Sequence, residues 1–267
     1  MPNIYVENRD RWLELSSVDY LGAFANAWLA FNAWYRSVYN ESTDRKILND
    51  FKWQPNDVRN KLIPVLTNAQ TEEAAQLRNL IGLLHHRLEN YHLHTGKGQA
   101  KDRITLTNVY LRDNVGAVPT VVKSGISYSV IRGGAGAPQN QITSTVKRKD
   151  GTSAFTFVQP IYDIALLEAS HDYLNILSQH QQAHLRNLYL AASPREVVNL
   201  LDGNCPKISC GAYDFRCQPD QLFAGVSETI YLMRCCYFHG ELVPSREASA
   251  CYEPAYHIIR RFLQAIS

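Results

Sequence analysis

Several things are missing from this chain of 267 residues, and each absence narrows what it can be. No run of about 18 apolar residues occurs, which argues against a helical membrane span. The opening Met-Pro-Asn-Ile-Tyr-Val-Glu-Asn-Arg-Asp has no apolar core of the signal-peptide kind, so a cytoplasmic location is expected, with no membrane partner. Cysteine is absent until Cys205. The six that occur (Cys205, Cys210, Cys217, Cys235, Cys236, Cys251) contain no C-x-x-C pair, and Cys205-x4-Cys210-x6-Cys217 is not a standard zinc spacing. Reduced thiols and no metal site are the reading. No glycine-rich phosphate loop follows a strand, because Arg132-Gly-Gly-Ala-Gly-Ala departs from the P-loop and dinucleotide patterns, and no G-x-S-x-G nucleophile turn occurs. No cofactor is expected. A strong overall charge is lacking too: the formal net charge of +2 does not by itself suggest a polyanionic partner.

What is present is helical periodicity. Leu21, Phe24, Trp28, Phe31 and Tyr35 recur at helical spacing after the capping-rich Ser16-Ser17-Val18-Asp19, predicting a central helix to about Tyr39. Asn32 sits beside that stripe and is either satisfied in the core or points into a site. Residues 43–64 read as polar and broken, with short helical pieces at most. A second helix is predicted from Thr71 to about His94 on Leu77, Leu80, Leu84, Leu88 and Tyr91. Its histidines (His85, His86, His92, His94) lack a chelating partner at a defined spacing and read as solvated. After about Tyr162 a helix through Ile164, Leu167, His171, Leu174 and Leu177 is expected to reach Leu190. A short helix over 194–201, one over about 220–239 and a last one over about 249–266 complete the series.

Between these parts the period changes to two. Ile104–Leu111, Ser124–Ile131, Ile142–Val146 and Ala154–Val158 alternate, and Asp150-Gly151 between the last two signals a hairpin. The fold class is therefore mainly α: a helical bundle whose halves, 1–95 and 161–267, flank a small antiparallel β insertion at 96–160. Its glycine-rich loop, 132–141, is expected to move. Nine Lys or Arg against three acids between Lys97 and Gly151 make this insert formally +6 and leave −4 for the rest of the chain. Lys147, Arg148 and Lys149 in its hairpin are candidate contacts to a polyanion such as RNA; a merely solvated sheet gives the same pattern.

The stretch Glu228-Thr-Ile-Tyr-Leu-Met-Arg234-Cys-Cys-Tyr-Phe-His239-Gly240 carries the chemistry. Phe223, Val226, Ile230, Met233 and Tyr237 form its apolar stripe, Arg234 lies on the margin, and Gly240 is a C-terminal stop. An arginine that clamps phosphate and a histidine that moves a proton suffice to cleave RNA through its own 2′-hydroxyl. DNA, lacking that hydroxyl, is immune. Five residues place the two side chains roughly 140° apart and about 7.5 Å along the axis, so a leaning arginine or a second copy of the helix has to close the site. A Cys236–His239 nucleophile pair is the competing reading, but Cys236 lies on another helix face.

This segment, together with Trp28-Leu-Ala-Phe31-Asn32-Ala-Trp-Tyr35, resembles the R-x4-6-H signature and the aromatic-Asn-Tyr helix of the HEPN superfamily. The resemblance covers about 12–95 and 161–267; the β insertion has no counterpart in it. It implies a HEPN-like helical bundle and a metal-independent endoribonuclease that pairs as a homodimer, often a toxin or anti-phage effector held in check by an antitoxin or other regulatory protein. Carried over, Arg234 binds phosphate and His239 is the general base or acid. Glu228 and Asn32 are supporting residues that position them. The chain departs from the pattern at Cys235, where many active members have a polar residue. A non-catalytic HEPN module that binds RNA, a nucleotide or a protein through the basic insertion is the alternative.

Overall fold

The aromatic stripe builds α1 (Tyr20–Val38), capped where the Asp19 carboxylate accepts the Gly22 N–H at 3.0 Å and burying Phe24, Trp28, Phe31 and Tyr35. The structure, a computed structural model, describes residues 8–9, 18–68, 70–95, 102–113, 120–133 and 141–267. The cap is thus the last residue of the capping-rich stretch 16–19; Ser16 and Ser17 fall outside the described residues, as does most of the glycine-rich loop.

Residues 43–64 are less broken than their polarity suggests. Thr43 and Asn56 side chains cap α2 (Asp44–Trp53) and α3 (Asp57–Thr67), and each helix buries a stripe: Ile47, Leu48 and Phe51, then Val58, Leu62 and Leu66. Thr71 caps α4 (Glu72–Asn90), which stops short of His94. The chain continues through β1 (His94–Thr95), β2 (Asp102–Arg103) and β3 (Val109–Asp113).

Two units divide the chain: Met1–Leu111 with Val197–Ser267, and Arg112–Glu196. The second is a meander of β4 (Val121–Lys123), β5 (Ile126–Arg132), β6 (Ile142–Lys147) and β7 (Ser153–Gln159), paired antiparallel in that order. The stretch expected to begin a strand at Ser124 instead turns there. Ser124 (φ 52°) and Gly125 (φ 80°) form the two-residue link of a hairpin, both in the left-handed region such links require. Tyr128, Val130, Ile142, Val146 and Phe155 face inward and pack with residues from α5 (Ile164–Glu168), α6 (His171–Ile176) and α7 (Gln179–Ala191). The single helix expected from Tyr162 is thus three. Ser170 caps α6, a Ser178–Gln181 capping box starts α7, and the chain rotates at each so that Tyr173 and Leu177 are buried while His171 and Leu174 are exposed. These helices close the core of the insert unit, so the unit runs from 112 to 196 where 96–160 was expected, and the bundle regains the chain at 197.

Where the chain returns to the first unit, residues 195–198 form β8 (Arg195–Val198), paired with β3, in place of the expected short helix. The β-branched Val197-Val198 pair suits a strand better than a helix. A hairpin of β9 (Ile208–Cys210) and β10 (Tyr213–Phe215) precedes α8 (Pro219–Phe238) and α9 (Arg246–Ile266). α8 does more than offer a stripe. Every residue from Leu222 to Tyr231 is buried, so the helix is enclosed all round, as a central helix must be. Its Phe223 meets Phe51 and Phe262, and Tyr252 on α9 donates its hydroxyl to Met233 O at 2.8 Å. Among the described residues no helix is long and apolar enough to cross a membrane.

Candidate functional site at the end of the central helix

The end of α8 is set by glycine. Gly240 adopts φ 70°, its N–H donates to Tyr237 O, and Glu241 N–H donates to Cys236 O at 3.0 Å. That is the Schellman arrangement, which a side chain at residue 240 would strain. His239 is the residue just before the turn; its backbone N–H donates to Cys235 O at 3.0 Å, and its side chain is exposed. Among the described residues no side-chain hydrogen bond or ion pair holds its imidazole.

Arg234 lies one and a half turns earlier, about 7.5 Å back along the axis. Its guanidinium is four-fifths buried, over the rings of Phe238 (5.2 Å) and Trp28 (6.0 Å). One nitrogen reaches Asp44 Oδ2 at 3.5 Å, while Nε is buried with no hydrogen-bond partner among the described residues. Asp44 opens α2, and its other oxygen accepts from Arg36, so two arginines share one carboxylate. The Tyr35 hydroxyl joins the group. It accepts from Asn32 Nδ2, and burial, with the nearby Asp44 charge second, pushes its pKa up. The structure therefore brings Asn32 and Arg234 into one cluster, through Tyr35 and Asp44.

Glu228 goes elsewhere. Nearly two turns of α8 before Arg234, it is buried and accepts from Arg45 Nη1 at 2.6 and 2.8 Å and from the fully buried Lys52 Nζ at 3.0 Å. Burial opposes the charge on Arg45, yet the Glu228 carboxylate beside it leaves its pKa raised. Arg45 also stacks on Tyr231 (4.4 Å), whose own pKa is pushed up to about 12 by burial. Glu228 thus does not position Arg234 or His239 by contact, as expected of it; it pins α2 onto α8. Because Asp44 and Arg45 are neighbours, that pin also holds Asp44 against Arg234.

Comparison with protein-family models, curated proteins and solved structures finds no match. The chemistry of the site therefore has to come from its own groups. Arg36 and Arg234 carry two positive charges against one negative charge from Asp44, and bidentate guanidinium groups of this kind suit phosphate. The histidine at the helix end stands in solvent.

Cys235 is half-buried, with Arg234 Nη1 at 4.0 Å from its sulfur. Cys236 is unsuited as a nucleophile: its thiol donates to His94 O at 3.2 Å, and burial pushes its pKa to about 11. Of the histidines near the end of α4, His86 is exposed as expected and so are His92 and His94 beyond it. His85 is instead buried edge-on against Tyr213 (4.5 Å), and burial lowers its pKa. Among the described residues no three His, Cys, Asp or Glu gather as a metal site. Lys147, Arg148 and Lys149 are exposed at the β6–β7 turn of the insert unit. There Asp150 Oδ1 accepts from Thr152 N (2.9 Å) and Oγ1 (2.6 Å), and Lys149 lies along Gly125.

Sequence reading missed Arg36, Asp44, Arg45 and Lys52. One signal was available: an acid in the middle of the apolar run 222–233 needs a buried base, and Lys52 follows Leu48 at helical spacing.

Proposed function

We propose that this protein is a metal-independent endoribonuclease of HEPN type. The observation that carries the reading is a half-satisfied arginine pair at Arg234, on the same helix end as the unpaired imidazole of His239. A phosphodiester placed against Arg234 has its non-bridging oxygens neutralised. His239 takes the proton of the adjacent 2′-hydroxyl, that oxygen forms a bond to phosphorus, the P–O5′ bond breaks, and the 5′-oxygen takes a proton from water. The products are a 2′,3′-cyclic phosphate and a 5′-hydroxyl. The angular offset of the two side chains on one helix favours a homodimer in which two copies of the helix end complete each other. The same resemblance supports a role as toxin or anti-phage effector, restrained by an antitoxin or regulatory protein.

The test is cleavage of total cellular RNA with the ends mapped. His239→Ala is expected to lower the rate roughly 10²–10⁴-fold, and Arg234→Ala comparably, with chelator leaving the wild type unaffected. Cleavage at the wild-type rate by either variant, or its loss with chelator, refutes the assignment.

A second reading is favoured by the hairpin. Three cations stand exposed at its tip while the one acid there is tied to Thr152. Under it the protein binds RNA without cutting, binding survives both substitutions above, and neutralising Lys147, Arg148 and Lys149 weakens it and flattens its salt dependence.

A further inference from the structure

Of the nine histidines, His180 and His184 are the one pair spaced three or four residues apart. Both lie on α7, in the insert unit. Four residues at about 100° each set them within about 40° around the axis and about 6 Å along it, so both rings leave the same helix face. Their ring centroids are 5.0 Å apart. Two imidazole nitrogens bound at about 2.1 Å to one tetrahedral ion put their ring centres about 5 Å apart as well. The His92 and His94 rings, two residues apart, are separated by 6.4 Å. His180 is exposed. His184 is half-buried against the ring of the buried Tyr128 at 5.5 Å, which limits the positions its imidazole can take. Among the described residues neither histidine makes a hydrogen bond or ion pair, so neither ring has a partner to give up. Arg186, the arginine of this helix, is offset by Glu168 at 2.6 Å.

We propose that His180 and His184 chelate one divalent transition-metal ion of the zinc, copper or nickel class. Imidazole nitrogen suits these borderline ions, whereas magnesium and calcium take oxygen ligands. No third His, Cys, Asp or Glu gathers with the pair among the described residues, so water takes the remaining positions. The ion ties the first turn of α7 to the second. This helix closes the core under the sheet with Leu185, Leu188 and Tyr189, all buried, and Tyr128 belongs to the same cluster. An ion held only by the folded pair therefore stabilises the insert unit by mass action. Neither histidine has a part in the cleavage step proposed for Arg234 and His239. Loss of this site leaves that reading untouched, and cleavage that ignores chelator leaves this site untouched.

Calorimetric titration of the full chain with Zn²⁺, Ni²⁺ and Mg²⁺ tests it, after iodoacetamide has capped the half-buried thiols of Cys205 and Cys235, which compete for Zn²⁺. One Zn²⁺ or Ni²⁺ per chain is expected, with Mg²⁺ at least about a hundredfold weaker. His180→Ala and His184→Ala should each weaken Zn²⁺ binding at least about tenfold, and the double change little further, because one ring alone makes no chelate. Gln179→His combined with His180→Gln keeps the composition but sets the ring about 140° from His184, and should weaken binding as much as His180→Ala. His180 is exposed, so these variants keep the wild-type melting temperature without metal, and lost binding there is not lost fold. Saturating Zn²⁺ should also slow hydrogen exchange in α7 and β5 at least about tenfold, and leave it unchanged in His180→Ala. Failure of both Zn²⁺ and Ni²⁺ to bind, affinity unaltered by His180→Ala or by the exchanged pair, or Mg²⁺ bound as tightly, overturns the proposal.

Discussion

Two carboxylates organise the side chains around α8, and they differ in burial. Asp44 keeps about a fifth of its side chain in solvent, and its 3.5 Å contact to Arg234 is long, so that pair adds little to stability. Glu228 and Lys52 have almost no exposure; removing Glu228 takes the carboxylate away from a Lys52 charge in a dry interior, while removing Lys52 leaves Glu228 with Arg45. Glu228→Ala is accordingly expected to cost about 3–5 kcal/mol in urea unfolding. In a double-mutant cycle with Lys52→Met, the two losses should fall short of additive by more than about 0.5 kcal/mol. Additive losses, or a Glu228→Ala cost within about 0.5 kcal/mol of zero, would show that the triad does not join α2 to α8.

At the scale of the element, the Schellman turn at Gly240 fixes where His239 stands. Gly240→Ala meets no neighbour within 4 Å, so its effect isolates backbone strain at φ 70°. A loss of about 1 kcal/mol is expected, with Gly240→Asn milder because asparagine tolerates that region. If His239 acts in cleavage, Gly240→Ala also slows it; unchanged stability and rate would contradict the capping role. How much of these elements could be read beforehand depends on length and burial. α1, α4, α8 and α9 span 19–21 residues, enough for a stripe to repeat and a cap to stand out. α2 and α3, of 10 and 11 residues, hide theirs among lysines and asparagines, and the serines that divide α5, α6 and α7 look like ordinary polar faces. Arg234 and His239 were legible because they share a helix. Their surroundings were not, because Arg234–Asp44, Arg45–Glu228 and Lys52–Glu228 join residues 190, 183 and 176 positions apart, pairings that only packing decides.

Across the whole molecule, two hydrophobic clusters follow the division of the chain. Leu84 belongs to the one in the helical unit and Leu185 to the one under the sheet, both fully buried. Leucine-to-alanine changes at such sites cost about 2–5 kcal/mol. All six cysteines lie in the helical unit, and burial holds the thiols of Cys210 and Cys217 near pKa 12 and those of Cys236 and Cys251 near 11. An alkylating reagent reaches these four only when that unit opens. Leu84→Ala should therefore speed their labelling, while Leu185→Ala lowers hydrogen-exchange protection in β5–β7 and leaves labelling unchanged; faster labelling in Leu185→Ala would mean the clusters open together. The uneven placement of cysteine thus gives the molecule an intrinsic clock for one of its halves, one that runs without any engineered reporter and is deaf to the other.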